Sequence, residues 1–368
     1  MKNVLFWGLT TYSLSKENPV MEKKFAGLSK CMNVFVMARG DKWFLEKYNT
    51  KFFLISKSWS MIGFLFVGFF RGLVVIFKQN INIIICPSPG VDGFVAWILA
   101  KLTRRELIVE AHGDWIESLF LYHHIPFKNL VKKTLQFFSR CSLRGADKIR
   151  VISNFTNEFV KQYAFNKPII LFPTFTDLDI FLQEKTQYVH NERILFVGAL
   201  YRLKGVHFLL QAFSTIKKKY PAAELVIVGD GPYKETLLEM VDDLRLSRVH
   251  WRGKMSLVEV KKEMQNSCML ILPSLSEGLG RVLLEAAALG LPLIGSRTGG
   301  IPDIISHEKN GLLFEPGNVE DLAKAIEHLL EVPKRAEEMG MVGKKMAQEQ
   351  FSTKTYFNMY RKMIDTSV

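Results

Sequence analysis

The sequence predicts an α/β chain built as two doubly wound parallel-sheet domains. Three observations carry that expectation. Short apolar runs of strand length alternate with segments of helical length, the order that a parallel sheet with crossover helices requires. With 368 residues, 48% of them apolar, the chain is globular and large enough for two cores. The two alternating series are separated by Pro173 to Tyr188, a stretch with few periodic apolar positions that reads as the interdomain connection. The expected domains are 1–175 and 176–350, with a terminal segment, 351–368, ending in a helix over Thr353 to Ile364.

Lys2 to Trp7 reads as the first strand, since its apolar run is too short for a signal peptide and lacks a small-residue cleavage site. A polar loop, Gly8 to Asn18, leads to a helix over Pro19 to Lys30, with proline in its opening turn. Val34 to Met37, Phe52 to Ile55 and Ile81 to Cys86 follow as strands. Between the last two, Trp59 to Phe77 (WSMIGFLFVGFFRGLVVIF) approaches the ~20 apolar residues that span a bilayer. Arg71, three interrupting glycines and the abutting strands favour a crossover helix packed on a sheet instead. Helical spacing gathers Met61, Phe64, Gly68, Arg71, Val75 and Lys78 on one face, which as an outward face would suit a bilayer interface.

Past Pro87 to Gly90, a helix over Gly93 to Lys101 precedes a strand, Leu107 to Glu110. That strand runs into Ala111-His112-Gly113-Asp114-Trp115 at its carboxyl end, where open α/β sheets bind ligands. Leu130 to Gly145 is a basic helix, Asp147 to Ser153 a strand, and Asn154 the expected cap of the next helix. The second series has strands at Ile194 to Val197, Glu224 to Val228, Val249 to Trp251, Cys268 to Leu272 and Leu293 to Gly295. Helices over His207 to Lys218, Tyr233 to Asp242, Leu257 to Gln265 and Val319 to Leu330 complete it.

Charge is distributed unevenly. Residues 1–175 carry 24 Lys and Arg against 11 Asp and Glu, whereas 176–368 carry 25 of each sign, so the net +13 belongs to the first half. The first half also holds 21 of the 28 phenylalanines, which directs an anionic partner to that half alone. Four scattered cysteines, without a C-x-x-C pair, argue against a zinc site or a disulfide framework and for a reducing, cytoplasmic compartment. No D-x-D-like metal site and no recognisable nucleic-acid-binding module is present in the sequence.

The chemistry is expected between Pro273 and Pro292, PSLSEGLGRVLLEAAALGLP. A buried strand leads into a loop with Ser274, Ser276, Glu277, Gly278 and Gly280, then into an Ala/Leu-rich helix ended by Gly290 and Pro292. Such a turn turns free backbone N–H groups and the positive end of the helix dipole outward, suited to phosphate oxygens. Glu285 lies among apolar residues of that helix and needs a polar partner if it faces inward. Gly229 and Gly231, a lone G-x-G after a strand, read as a tight turn.

The whole string, with V-G-A-L-Y-R-L-K-G-V (Val197 to Val206), V-G-D-G-P (Val228 to Pro232), G-G-I-P-D (Gly299 to Asp303) and N-G-L-L-F-E-P-G-N (Asn310 to Asn318), resembles the family 4 retaining glycosyltransferases. These enzymes have the GT-B fold, two Rossmann-like domains facing across a cleft, with a terminal helix crossing back to the first. The resemblance covers most of 190–345 and, more thinly, the N-terminal half. It implies a nucleotide-diphospho-sugar donor, no other cofactor and no bound metal. It gives Glu277 to the hydroxyls of the donor sugar, Glu285 to the ribose diol, and the backbone of Gly278, Leu279 and Gly280, with Arg281 at the helix start, to the pyrophosphate. Lys204 would neutralise the diphosphate, and His112 would act at the sugar or acceptor, with Asp114 a further acceptor-side candidate. Arg252 and Lys254 stand where the family meets the base, and Gly8 in the loop after the first strand.

Two departures stand out. Ala199 occupies the place of a common Arg, for which Arg202 is the available replacement or else a solvated loop residue. Gly8-Leu9-Thr10-Thr11 has one glycine where the family has two, with threonine hydroxyls as partial substitutes. The implied reaction is transfer of a sugar to an acceptor hydroxyl with retention, in cell-envelope polysaccharide or glycolipid synthesis. The implied partners are the donor and a glycan or lipid-linked glycan acceptor. The basic first half, with Arg71, Lys78 and the cations of Leu130 to Gly145, adds an anionic membrane surface contacted peripherally at its cytoplasmic face, and no nucleic acid is expected. The rival readings are a nucleotide-sugar epimerase on the same fold and a catalytically silent, membrane-associated binding protein.

Overall fold

The computed structural model describes residues 1–14, 18–41, 43–122, 126–164, 166–182 and 188–366. Parts of two expected segments, 15–17 in the first polar loop and 183–187 in the connection, lie outside these described residues. The chain divides into two compact units, Met1–Phe175 with Tyr356–Val368, and Thr176–Thr355.

In the first unit the described strands are β1 (Asn3–Tyr12), β2 (Asn33–Gly40), β3 (Phe44–Lys47), β4 (Thr50–Ser56), β5 (Ile83–Cys86), β6 (Glu106–Ala111), β7 (Lys148–Val151) and β8 (Ile169–Leu171). They form a sheet in the order β3-β4-β2-β1-β5-β6-β7-β8, parallel except for the β3/β4 hairpin. Successive residues of β1 serve opposite faces, as the strand period demands. Leu5 and Trp7 join the core with helices Met61–Lys78, Val91–Thr103 and Lys128–Gly145, while Val4 joins Phe25, Tyr356 and Tyr360 on the other face.

That second face is closed by helix Pro19–Leu28 and by the terminal helix Thr353–Asp365, which is tied down by polar bonds. Buried Arg150 donates to Glu110 at 2.8 Å and to the Tyr360 hydroxyl at 3.2 Å, and Tyr360 in turn donates to Glu110. Buried Lys148 donates to Glu106 and to the Met363 and Thr366 carbonyls at 2.6, 2.9 and 2.6 Å. Burial alone would raise the Glu110 pKa, but the Arg150 guanidinium and the hydrogen bonds from His112 and Tyr360 hold it well below the usual carboxylate range.

The second unit has β9 (Arg193–Val197), β10 (Glu224–Val228), β11 (Val249–Gly253), β12 (Met269–Leu272), β13 (Leu293–Ser296) and β14 (Gly311–Phe314), all parallel, in the order β11-β10-β9-β12-β13-β14. Strand order reverses between β1 and β5 in one sheet and between β9 and β12 in the other. Crevices at the carboxyl ends of such strand pairs are where doubly wound sheets take ligands.

The doubly wound fold expected from the sequence is the one observed, with local corrections. β1 continues to Tyr12 through a register shift between Trp7 and Thr11, so Gly8 belongs to the strand and not to a loop. Ser153, not Asn154, caps helix Asn154–Lys161, accepting from the Thr156 N–H at 3.2 Å. Strands β3, β8 and β14 and helices Glu117–Tyr122, Asp179–Leu182 and Pro333–Gln350 were not anticipated. The face of helix Met61–Lys78 that carries Phe64, Gly68 and Val75 points into the core, so it is not the outward one. Gly68 and Gly72 admit the Trp7 indole, whose Nε1–H donates to the Gly68 carbonyl at 3.4 Å.

Candidate functional site

The second unit concentrates the expected residues at the β9/β12 reversal. After β9, a single tight turn, Arg202–Lys204, delivers Lys204, and the loop leaving β12 delivers Glu277. The Lys204 ammonium donates to Glu277 Oε2 at 2.5 Å, and Ser274 Oγ lies 3.5 Å from the same oxygen. Both members of the ion pair are about one-sixth exposed, each at 17%, so the pair sits at the rim of the fold rather than free in solvent. The Leu275 N–H donates to the Leu203 carbonyl at 2.8 Å and joins the two loops directly.

Two glycines make this junction possible. Gly205, at φ 68°, has its α-carbon so close to the β12 exit that a Cβ would lie 1.9 Å from the Pro273 carbonyl oxygen. Gly299, at φ 55°, approaches from the other side, where a Cβ would lie 1.8 Å from the Glu277 carbonyl oxygen. That carbonyl accepts from the Gly300 N–H at 3.0 Å, so the G-G-I-P-D segment braces the loop that presents Glu277.

Helix Arg281–Leu289 begins directly after this loop, with Gly280 as its N-cap and no side chain capping it. Its leading N–H groups therefore keep their capacity for an anion. Leu279 is buried and offers only backbone, whereas Arg281 is exposed. Glu285, one turn further on, is partly buried, and its carboxylate accepts no hydrogen bond among the described residues. Burial pushes its carboxyl pKa up to about 7, with Arg281 pulling the other way. The helix closes at Gly290, φ 80°, before Pro292.

Other expected residues stand apart from this pair. Arg202 and Lys254 are exposed, and Arg252 lies 3.6 Å from Glu263. Gly229 and Gly231 let the loop after β10 lie against the backbone of Gly198 and Leu200, a structural role. Sequence reasoning missed His207, two residues after Gly205, whose Nδ1 is buried without a partner among the described residues. Burial and then the Arg202 charge lower its pKa.

In the first unit, a cavity of about 320 Å³ opens at the carboxyl end of β1 and is lined by Gly8, Thr10, Tyr12, Lys24, Glu110 and His112 among others. His112 Nε2 lies 3.2 Å from Glu110 Oε2, while the other Glu110 oxygen is held by Arg150 and Tyr360. The imidazole is thus set in place by a carboxylate that is itself fixed. Lys24, also missed, supplies a cation to this cavity; burial lowers its pKa, but the fields of Tyr356, Tyr12 and Glu110 outweigh this and raise it. Asp114 accepts from the Ile116 and Glu117 N–H groups at 3.0 and 2.9 Å, so it acts as a turn and helix cap.

Residues 179–346 match the family described as glycosyl transferases group 1. The chain is 28% identical over 276 residues to the sulfoquinovosyl transferase SQD2 of Arabidopsis thaliana, covering 68% of this chain and 50% of that protein. It is 32% identical over 234 residues to the N-acetyl-alpha-D-glucosaminyl L-malate synthase of Bacillus anthracis, covering 60% of each. The matched region thus spans about half to three-fifths of the length of these two relatives. Among solved structures, a sucrose-phosphate synthase from Thermosynechococcus elongatus superposes with a TM-score of 0.80 over 100% of both chains at 19% identity, a likeness of fold.

Proposed function

We propose that this chain, whose GT-B fold and C-terminal unit are those of a family 4-like, group 1 glycosyltransferase, moves a sugar from a nucleotide-diphospho-sugar to an acceptor hydroxyl with retention of configuration. One observation carries the reading. At the strand-order reversal of the second sheet, a cation (Lys204), an acceptor carboxylate (Glu277) and an uncapped helix start are joined in one loop junction. A diphosphate fits the first and third, and sugar hydroxyls fit the second.

In this reading the bond between the anomeric carbon and the diphosphate oxygen breaks, and a bond to the acceptor oxygen forms on the same face. The acceptor proton leaves with the diphosphate oxygen, so no side-chain nucleophile is required. Lys204 and the N–H groups following Gly280 stabilise charge as it builds on the leaving group. Glu285 accepts from the ribose diol, Arg281 adds charge beside the pyrophosphate, and Arg202 serves in place of the Arg that Ala199 lacks. His112, oriented by Glu110, is the acceptor-side candidate of the first unit. The acceptor is a glycan or lipid-linked glycan used in envelope synthesis at the cytoplasmic side of the membrane.

The test is to supply a nucleotide-diphospho-sugar with a lipid-linked glycan acceptor and to follow both products. Release of nucleoside diphosphate together with a glycoside whose anomeric proton coupling matches the donor supports the proposal. A donor converted to an epimer without release of the nucleotide would contradict it, as would an inverted glycoside.

A further inference from the structure

Helix Met61–Lys78 presents a second apolar stripe, opposite the one that enters the core. Ile62, Phe66, Phe70, Val74 and Phe77 recur at helical spacing and are between 53% and 75% exposed. The helix packs beside Val91–Thr103, and that one beside Lys128–Gly145, so the three form a single layer on the sheet. Leu102 and, on or next to the third helix, Phe127, Leu130 and Phe137 continue the exposed apolar surface. So many large apolar side chains exposed on neighbouring helices are rare on a freely soluble monomer.

The exposed charges on these three helices themselves have one sign. Helices Met61–Lys78 and Lys128–Gly145 contain no Asp or Glu, and Asp92, the acid of the middle helix, is buried. Exposed Arg71, Lys78, Lys101, Lys133 and Arg144 remain, while Lys128 and Lys132 pair with Glu117 of the neighbouring short helix. Arg71 lies over the Trp43 ring at 3.8 Å, which holds a cation beside the stripe. A protein partner of mixed charge gains little from a surface whose exposed charges, outside the Glu117 pairs, are cationic, whereas an anionic bilayer matches both the cations and the apolar groups.

Among the described residues, Met61–Lys78 is a helix long and apolar enough to cross a membrane. Its inner face, however, carries Phe64, Gly68, Gly72, Val75 and Ile76 into the core under Trp7. Spanning a bilayer would strip that face from the sheet, so the helix is suited to lie in the interface plane. We infer that the outer surface of these three helices docks on an anionic membrane, with Ile62, Phe66, Phe70, Val74 and Phe77 immersed among the acyl chains and the surrounding Lys and Arg at the headgroups. The docking rests on the first unit alone and does not depend on the transfer chemistry.

The test is flotation of the full chain with vesicles of phosphatidylcholine and with vesicles in which about one-third of it is replaced by phosphatidylglycerol. The wild type is expected to float with the anionic vesicles and to stay behind with the neutral ones. Phe66→Ser with Phe70→Ser, both exposed positions, is expected to abolish flotation without altering the circular dichroism. Lys78→Gln with Lys133→Gln is expected to weaken partitioning about fivefold for each removed cation, the equivalent of ~1 kcal/mol. A wild type that fails to float, or variants that float equally well, would overturn the inference. A dimer in light scattering that the phenylalanine variant dissociates, or a salt-sensitive gel shift with nucleic acid in place of flotation, would also overturn it.

Discussion

At the scale of single residues, Glu285 links the proposed donor site to pH. Its folded pKa stands near 7, above the ordinary carboxylate value, because burial disfavours the charge. The sign follows directly: below pH 7 the carboxyl is protonated in the fold, and only above it are both oxygens free to accept from a ribose diol. Stability that the fold gains from the protonated form is full below the ordinary carboxylate range and lost as pH rises through 7. Donor affinity should therefore increase between about pH 6 and pH 8, and calorimetric titration of donor into wild type and Glu285→Gln checks it. The variant should bind more weakly and without the pH step; an identical pH step in the variant would remove Glu285 from the site. Glu285 and Glu277 are legible in the sequence, since both lie in one strand-loop-helix string. The closeness of Lys204, 73 residues upstream of Glu277, is not legible from spacing. It depends on β9 and β12 pairing as neighbours across the strand-order reversal.

At the scale of elements, the terminal helix is held by a buried ion pair and its phenol. Removing one partner of a buried pair leaves the other charge uncompensated and costs about 3–5 kcal/mol, whereas loss of one hydrogen bond costs about 1 kcal/mol. Arg150→Met should thus destabilise the first unit far more than Tyr360→Phe, and hydrogen exchange of β6 and β7 amides measures each. Equal, small effects would show that Glu110 is held by other groups. Because the Glu110 pKa is depressed, the Arg150 contribution is present above the ordinary carboxylate range and is lost as pH falls through its folded value. This network was invisible in the sequence, since Glu110, Arg150 and Tyr360 carry no common motif and meet only after the sheet has formed. Which face of Met61–Lys78 turns outward was illegible for a related reason. That helix is apolar on both sides, so periodicity offers two stripes, and the glycines under Trp7 decide between them. Strands β3, β8 and β14 are three or four residues long, too short for alternation to register.

At the scale of the whole molecule, the asymmetry of charge follows the division of labour. The first unit carries the positive excess, the apolar helix layer and the cavity with Lys24 and His112. The second unit, without the positive excess of the first, carries the Lys204, Glu277 and Glu285 constellation on a parallel sheet whose central strands β9, β12 and β13 are largely apolar and buried. Two sheets with their order reversals at β1/β5 and β9/β12 place one candidate site on each unit. The alternation of strands and helices announced that architecture because each crossover helix must bury an apolar stripe on the sheet it spans.

The most direct measurement is the melting shift of the full chain with UDP-, GDP- and ADP-sugars, in wild type, Lys204→Ala and Glu285→Ala. One donor should stabilise the wild type, by about 2.7 kcal/mol at a hundredfold excess over its dissociation constant. Both variants should fold and lose most of that shift. A full shift retained in both, or no shift with any donor, would contradict a nucleotide-diphospho-sugar site at the β9/β12 junction.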